Sequence, residues 1–419
     1  MRIKLVPEDF RVEEILALPC AARGAYAVYR VHKRGRTTLE VQEELARLLG
    51  LPPSAVRFPA LKDKVAVATQ YASAKVGRRP SLVLRGRGFR AEGVGFLPRP
   101  LAPGDLAGNR FTVTLRDLAQ EELPEIKKRA VLLGRQGFPN YFDLQRFGSW
   151  SRALGFPGKL LLQRDWEGAL RAYLCEPLLG DPPPVRRFKK LAKEQWGNFR
   201  VLKEAAPRGN LRSVLTFLCD HPEDFKRAVN LITPRILSLW LSAYQSFLWN
   251  RVASVILRGL VEETSALNFP WGAVALPRYP LPEALFEKLR GLELPLPHAK
   301  ALEALFPAPK SSPPRAEEGQ DKGELLRSAS ARVLEEEGLS PRDLRARGLE
   351  RAYLPKGTRS LWVLPEELAI LGEGPDERFP GKCVLLVTFT LPPGSYATLF
   401  LRLLSPTTLF WARIPRPSR

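Results

Sequence analysis

Cysteine and histidine are scarce in this chain, and their spacing removes whole classes of chemistry. Cys20, Cys175, Cys219 and Cys383 stand far apart with no Cys-x-x-Cys pair, and His32, His221 and His298 are scattered. Neither a zinc site nor a disulfide framework is expected, and the chain is read as needing no metal. No run approaches the ~20 apolar residues that span a bilayer. The N-terminus, Met-Arg-Ile-Lys-Leu-Val-Pro-Glu-Asp-Phe, brings acids too early for a signal peptide. A cytoplasmic protein with no membrane partner is the expectation. Acids are also in deficit: Asp+Glu 44 against Lys+Arg 65 leaves a net charge of +21 and a pI near 10.1. That excess suits a polyanion, with nucleic acid the leading partner.

What the chain has is length and apolar content. Its 419 residues, 45% of them hydrophobic, suffice for two domains with substantial cores. Phe10 and Val12 alternate with charged neighbours between Pro7 and Glu14, which reads as a strand with Glu8 and Asp9 on its wet face. A second strand is expected at 25–31. Thr37 or Thr38 then caps a helix whose Leu45, Leu48 and Leu49 share a face, and Gly50, Pro52 and Pro53 end it. Further strands fit 70–76, 94–97 and 111–115, and a helix starts near Gln120. This mixture implies an α+β fold, a mixed, mainly antiparallel sheet flanked by helices.

Composition shifts near 157–166 and 345–356, with a largely helical region between, so residues 161–349 read as an inserted domain. The discontinuous remainder is 1–160 plus 350–419. Within the insert, Leu237, Trp240, Leu241, Tyr244, Leu248 and Val252 recur at helical spacing. Residues 308–323 form a polar, Pro/Gly-rich run expected to be an exposed loop. After the insert, 383–390 reads as an apolar strand, interrupted at Leu391-Pro-Pro-Gly394 and resumed as strand at 396–401.

The segment richest in chemical implication is Phe58-Pro-Ala-Leu-Lys-Asp-Lys-Val-Ala-Val-Ala-Thr-Gln-Tyr71, where Asp63 sits between two lysines on a connection between extended runs. Flanking strands can aim a carboxylate placed there. Taken alone, such a charged turn is most often simply solvated. From Lys62 to Gln70, however, it resembles the Lys-Asp-Lys/Arg-x-Ala-Val-Thr-x-Gln signature of the TruD family of tRNA pseudouridine synthases, with Ala68 at the usual Thr.

Other pieces follow in that family's order: Pro7-Glu-Asp-Phe-x-Val-Glu-Glu14 with Lys4 ahead of it, Gly108-Asn-Arg-Phe111, Asn140-Tyr-Phe-Asp-Leu-Gln-Arg-Phe-Gly148, Ala243-Tyr-Gln-Ser-Phe-Leu-Trp-Asn250 and Leu391-Pro-Pro-Gly-Ser-Tyr-Ala-Thr398. Pro59-Ala60 and Asp143 stand where the family has glycines.

The resemblance implies a pseudouridine-synthase sheet carrying a TRUD insert, and isomerisation of uridine to pseudouridine in tRNA, with uridine 13 the implied target. No cofactor is implied. Asp63 matches the catalytic position and Lys4 the nearby cation, with Lys62 and Lys64 as alternatives. Phe142 and Asn140 match positions that would stack on and position an extruded base. Two roles fit Asp63, attack at C1′ or deprotonation at C2′. Basic runs at Lys33, Arg34 and Arg36, at Arg78 and Arg79, and at Arg186 and Arg187 with Lys189 and Lys190 would meet RNA phosphates. A monomer is expected. Two other readings fit the same residues: a catalytically silent RNA-binding protein on this scaffold, and a metal-dependent nuclease using Glu8, Glu13 and Asp63.

Overall fold

The structure, a computed structural model, describes residues 1–76, 83–178, 180–306 and 320–405. Arg78 and Arg79 lie outside that set, as does the polar run 308–323 as far as residue 319, beyond which Gln320–Glu336 is helical. The chain divides into two compact units, Met1–Phe138 with Val363–Arg419, and Pro139–Trp362.

The first unit is built on a nine-stranded sheet. Its elements are β1 (Phe10–Leu16), β2 (Tyr26–Arg34), α1 (Thr38–Leu49), β3 (Val56–Arg57), β4 (Val67–Ala74), β5 (Val83–Gly86), β6 (Phe89–Leu97), β7 (Leu106–Leu118) and α2 (Leu123–Gln136), followed by strands Glu366–Pro375 and Cys383–Leu391 and helix Ala397–Leu404. Across the sheet the order is 366–375, 383–391, β7, β1, β4, β2, β6, β5, with β3 also on β4. The neighbours β1 and β4 run parallel, with Arg11 opposite Val67 and Glu13 opposite Thr69. The other described pairings in the sheet are antiparallel.

Helix α1 begins as its sequence demands. The Thr37 hydroxyl accepts from the Glu40 amide while the Glu40 carboxylate returns to the Thr37 amide, a reciprocal cap. Gly50 closes the helix at φ 70°, a left-handed conformation that costs glycine little. The buried face of α1, Val41, Leu45 and Ala46, packs on Tyr29, Val31, Ala72 and Ala91 of the sheet. Nearer the opposite edge, Phe10, Phe111, Phe389, Phe400 and Phe138 form a chain of ring contacts with centroids 4.6–5.8 Å apart.

The structure corrects three local expectations. Residues 397–404 are helical rather than a resumed strand. A short apolar run such as Ala-Thr-Leu-Phe-Leu-Arg-Leu-Leu carries no period that separates the two, and the Pro-Pro-Gly break resets the chain direction. Asp9 is not on a wet face but 1% exposed, inside a 3₁₀ turn at Pro7–Asp9 that precedes β1. The Asp63 segment is not a tight turn either, because β3 ends at Arg57 and β4 starts at Val67, leaving a nine-residue loop over 58–66.

The second unit centres on helix Pro234–Leu260, which buries Leu237, Trp240, Tyr244, Gln245, Leu248, Trp249 and Asn250. Helix Pro157–Gln163 crosses it closely at Gly158, where a Cβ would lie 2.3 Å from the Trp240 carbonyl oxygen. The buried Gln245 side-chain amide donates to the carbonyls of Pro297 and Pro355. Among the described residues, no helix is long and apolar enough to cross a membrane.

Candidate active site

The parallel pairing of β1 and β4 explains why Lys4 and Asp63, 59 residues apart, meet. Parallel neighbours start at the same end of a sheet, so the segments that precede them emerge side by side. The Lys4 ammonium donates to Asp63 Oδ2 at 2.5 Å and lies 4.0 Å from the centroid of the Phe10 ring. The Asp63 side chain is 52% exposed and that of Lys4 only 14%. An anionic carboxylate therefore faces solvent with a covered cation at its back.

Lys4 is itself held in a left-handed conformation at φ 59°. Asp9 fixes the segment that carries it: Asp9 Oδ2 accepts the amides of Leu5 and Val6, while Oδ1 accepts from Arg116 at 2.8 Å. Arg116 also reaches Asp376 and Glu377, and Arg2 and Arg116 exchange backbone hydrogen bonds.

The 58–66 loop is held from below by side chains rather than by strand pairing. Gln70 donates to the Ala60 carbonyl at 2.9 Å. The Thr38 hydroxyl, at the start of α1, accepts the Lys62 amide at 2.9 Å and donates to Gln70 Oε1. The Lys62 ammonium turns away from Asp63, toward Asn109 and, at 3.1 Å, toward Glu14. Glu14 is 1% exposed and also accepts the Tyr71 amide. Burial pushes its carboxyl pKa up, opposed by the Lys62 charge and the Tyr71 hydrogen bond.

Glu14, Gln70 and Lys33 were not singled out for this position, yet the signal is present. Each falls in phase with the buried side of its strand, Glu14 with Phe10 and Val12, Gln70 with Ala68 and Ala72, Lys33 with Tyr29 and Val31. A polar residue on the apolar phase must find a buried partner.

Lys33 departs from its expected place among RNA contacts. It is 2% exposed and its ammonium is engaged inside the fold. Arg34 is exposed and paired with Glu8, while Arg36 bonds Glu44 and the Arg87 carbonyl. Arg186 and Arg187 are exposed on helix Pro183–Glu194; Lys189 beside them is buried against Asp181.

Asn140 and Phe142 belong to the second unit, where helix Pro234–Leu260 positions them. Asn250 accepts the Phe142 amide at 2.9 Å and donates to the Phe142 carbonyl at 2.8 Å, a two-pronged grip on one residue's backbone. The Phe142 ring meets Trp249 edge-on at 5.6 Å, and the Arg359 guanidinium lies 4.1 Å from its centroid. Arg359 also bonds the carbonyl and the side-chain oxygen of Asn140, and the Asn140 amide donates to the Ser360 carbonyl. Asp143 stands at φ −103°, ψ 172°, an extended conformation that any residue adopts, so a side chain there in place of glycine causes no backbone strain.

Among the described residues, no three His, Cys, Asp or Glu side chains converge where they could hold a metal ion. Glu8 and Glu13 are engaged by Arg34 and Arg30 rather than gathered around Asp63.

A crystal structure from Methanosarcina mazei assigned to tRNA pseudouridine synthase D shares this fold. It matches 97% of this chain and 93% of its own at a TM-score of 0.66 and 22% identity. The family model for tRNA pseudouridine synthase D (TruD) matches residues 1–267, and the chain belongs to that family. The protein is therefore a pseudouridine synthase, an isomerase. It is 29% identical over 408 residues to tRNA pseudouridine synthase D of Aquifex aeolicus, covering 96% of this chain and 97% of that one. With the enzyme of the same name from Geobacter sulfurreducens it shares 30% over 419 residues, 95% and 92% of the two chains.

Proposed function

We propose that the protein converts uridine 13 of tRNA to pseudouridine, with Asp63 as the catalytic carboxylate. The observation that carries this reading is the half-exposed Asp63 carboxylate, backed by the covered Lys4 ammonium on a loop tied down at several points. Residues 1–160 with 350–419 act as the catalytic domain and 161–349 as the inserted domain, a division supported by two compact units whose boundaries fall at Phe138/Pro139 and Trp362/Val363.

The reaction breaks the bond between N1 of uracil and C1′, turns the base, and joins C5 to C1′. An ionised carboxylate serves either as a nucleophile at C1′ or as a base at C2′. The Lys4 ammonium holds one of its oxygens in place. A base in a folded RNA must first leave its stack, at a cost of a few kcal/mol, and Phe142 with Asn140 is our candidate for receiving it.

Incubating unmodified tRNA transcripts with protein and chelator, then mapping pseudouridine at nucleotide resolution, tests the assignment. The expected result is one new pseudouridine, at position 13. Tight binding without conversion would support a silent RNA-binding protein, and strand scission sensitive to chelator a nuclease.

Arg186 and Arg187, both exposed, are proposed to meet tRNA phosphates, with the exposed Lys190 and Lys193 beside them. Neutralising both arginines to glutamine is expected to weaken binding and to make the plot of log Kd against log salt shallower by roughly one to two. An unchanged slope removes them from the interface.

A further inference from the structure

The inward-facing Lys33 is a buried charge that the proposed chemistry leaves unused. Its ammonium donates to two backbone carbonyls, that of Asp63 at 2.7 Å and that of Arg36 at 2.8 Å. One bond ends on the proposed catalytic residue itself, and the other on the turn that leads from β2 into α1. We propose that Lys33 is a positioning residue for catalysis: it fixes the Asp63 main chain against the sheet, so that the carboxylate is presented at a set orientation to Lys4 and to the substrate. The inference rests on the reading of Asp63 as the catalytic carboxylate.

Three features distinguish this contact from ordinary scaffolding. The neighbouring tethers end on Ala60 and Lys62, whereas Lys33 grips Asp63 directly. A lysine on the apolar phase of a central strand loses hydration of its charge and much side-chain entropy, and an aliphatic residue such as leucine would pack there without the first loss and with less of the second. Finally, the donor is charged, and a charge-assisted hydrogen bond to a carbonyl is roughly twice as strong as a neutral one.

The charged groups that bear on the ammonium are Asp63 and Lys62 of the loop and Glu40 of α1. Its partners across the sheet, Ala68 on β4 and Phe89 on β6, are apolar. Burial, partly offset by Asp63, brings the Lys33 pKa from 10.5 down to about 8.

This depression sets two opposite trends. In the unfolded chain Lys33 keeps its proton up to its ordinary pKa, while the folded protein releases it above about pH 8. The unfolded state then binds more protons, and this group's contribution to stability rises with pH through that window. The positioning bond, in contrast, loses its charge over the same window. Catalysis should therefore weaken above about pH 8 while the fold holds, whereas a purely structural lysine would give no alkaline loss of rate in a stably folded protein.

Single-turnover conversion of a tRNA transcript by the full chain, run from pH 6.5 to 9, tests this with the variants Lys33→Met, Lys33→Arg and Asp63→Asn. Lys33→Met is expected to slow conversion at saturating enzyme on the order of 10²-fold, as small displacements of a catalytic group do, with tRNA affinity unchanged. Lys33→Arg, charged at every pH used, is expected to recover much of the rate and to lose the alkaline limb shown by the native protein. A native rate in Lys33→Met overturns the proposal, as does a parallel loss of tRNA affinity. If Lys33→Met does not fold, an alkaline limb that persists unchanged in Lys33→Arg overturns it instead. Activity in Asp63→Asn would defeat the underlying assignment; an inert Asp63→Asn beside a fully active Lys33→Met would defeat only the role of Lys33.

Discussion

Replacing Asp63 with asparagine is expected to abolish pseudouridine formation while leaving tRNA binding nearly unchanged. The amide keeps the shape of the side chain but has neither the nucleophilicity nor the basicity of a carboxylate, so both chemical roles open to Asp63 fail together. Removing a covalent nucleophile typically costs about 10⁴-fold or more. The fold should tolerate the change, because the Lys4–Asp63 pair has a half-exposed partner and exposed pairs contribute only about 0–1 kcal/mol. Single-turnover conversion with excess enzyme, together with filter binding of the same transcript, separates the two effects. Conversion at the native rate would remove Asp63 from the chemistry. Equal losses of rate and affinity would make it a binding residue.

Arg116→Ala should give the largest loss of stability. The Arg116 side chain is 8% exposed and lies between Asp9, 1% exposed, and Asp376, whose side chain is fully buried. Its guanidinium holds Asp9 at 2.8 Å and Asp376 at 3.1 Å. These carboxylates keep their backbone donors, Leu5 and Val6 for Asp9 and Asp117 for Asp376, but would lose the charge that balances them. Stranding buried charge in this way costs about 3–5 kcal/mol, or on the order of 10 °C in Tm for a unit of this size. Lysine cannot reproduce the planar fork that spans these acids, so Arg116→Lys should fall between alanine and native. Denaturant titration checks the order; coincident midpoints would show that the network contributes nothing. Because Asp9 also anchors the segment that carries Lys4, partial loosening should lower conversion before the protein unfolds.

Much of this architecture is legible locally. The reciprocal cap of Thr37 and Glu40, the stop at Gly50 and the long helix through Trp240 and Trp249 follow from residue chemistry and period. Ordered motifs point to the family, and with it to Asp63. Residues 397–404 are not legible in this way, because their apolar run fits strand and helix alike. The burial of Asp9 is not, because its partner Arg116 lies 107 residues away. Lys33 escapes a charge count, which treats every lysine as surface, although its phase with Tyr29 and Val31 marks it as buried.

The sequence by itself determined the basic, cysteine- and histidine-poor character of the protein, its α+β class, and the acid on which its chemistry is proposed to turn. Only the tertiary structure decided what surrounds that acid. Lys4 reaches Asp63 because β1 and β4 are parallel neighbours, a pairing that no local pattern encodes. Burial likewise separates one flanking cation from the acid: Glu14, on the inward phase of β1, draws Lys62 away, while Lys4 reaches the Asp63 carboxylate. Local chemistry selects the elements, but the distance between charges far apart in sequence depends on strand order and on which buried polar groups must satisfy one another.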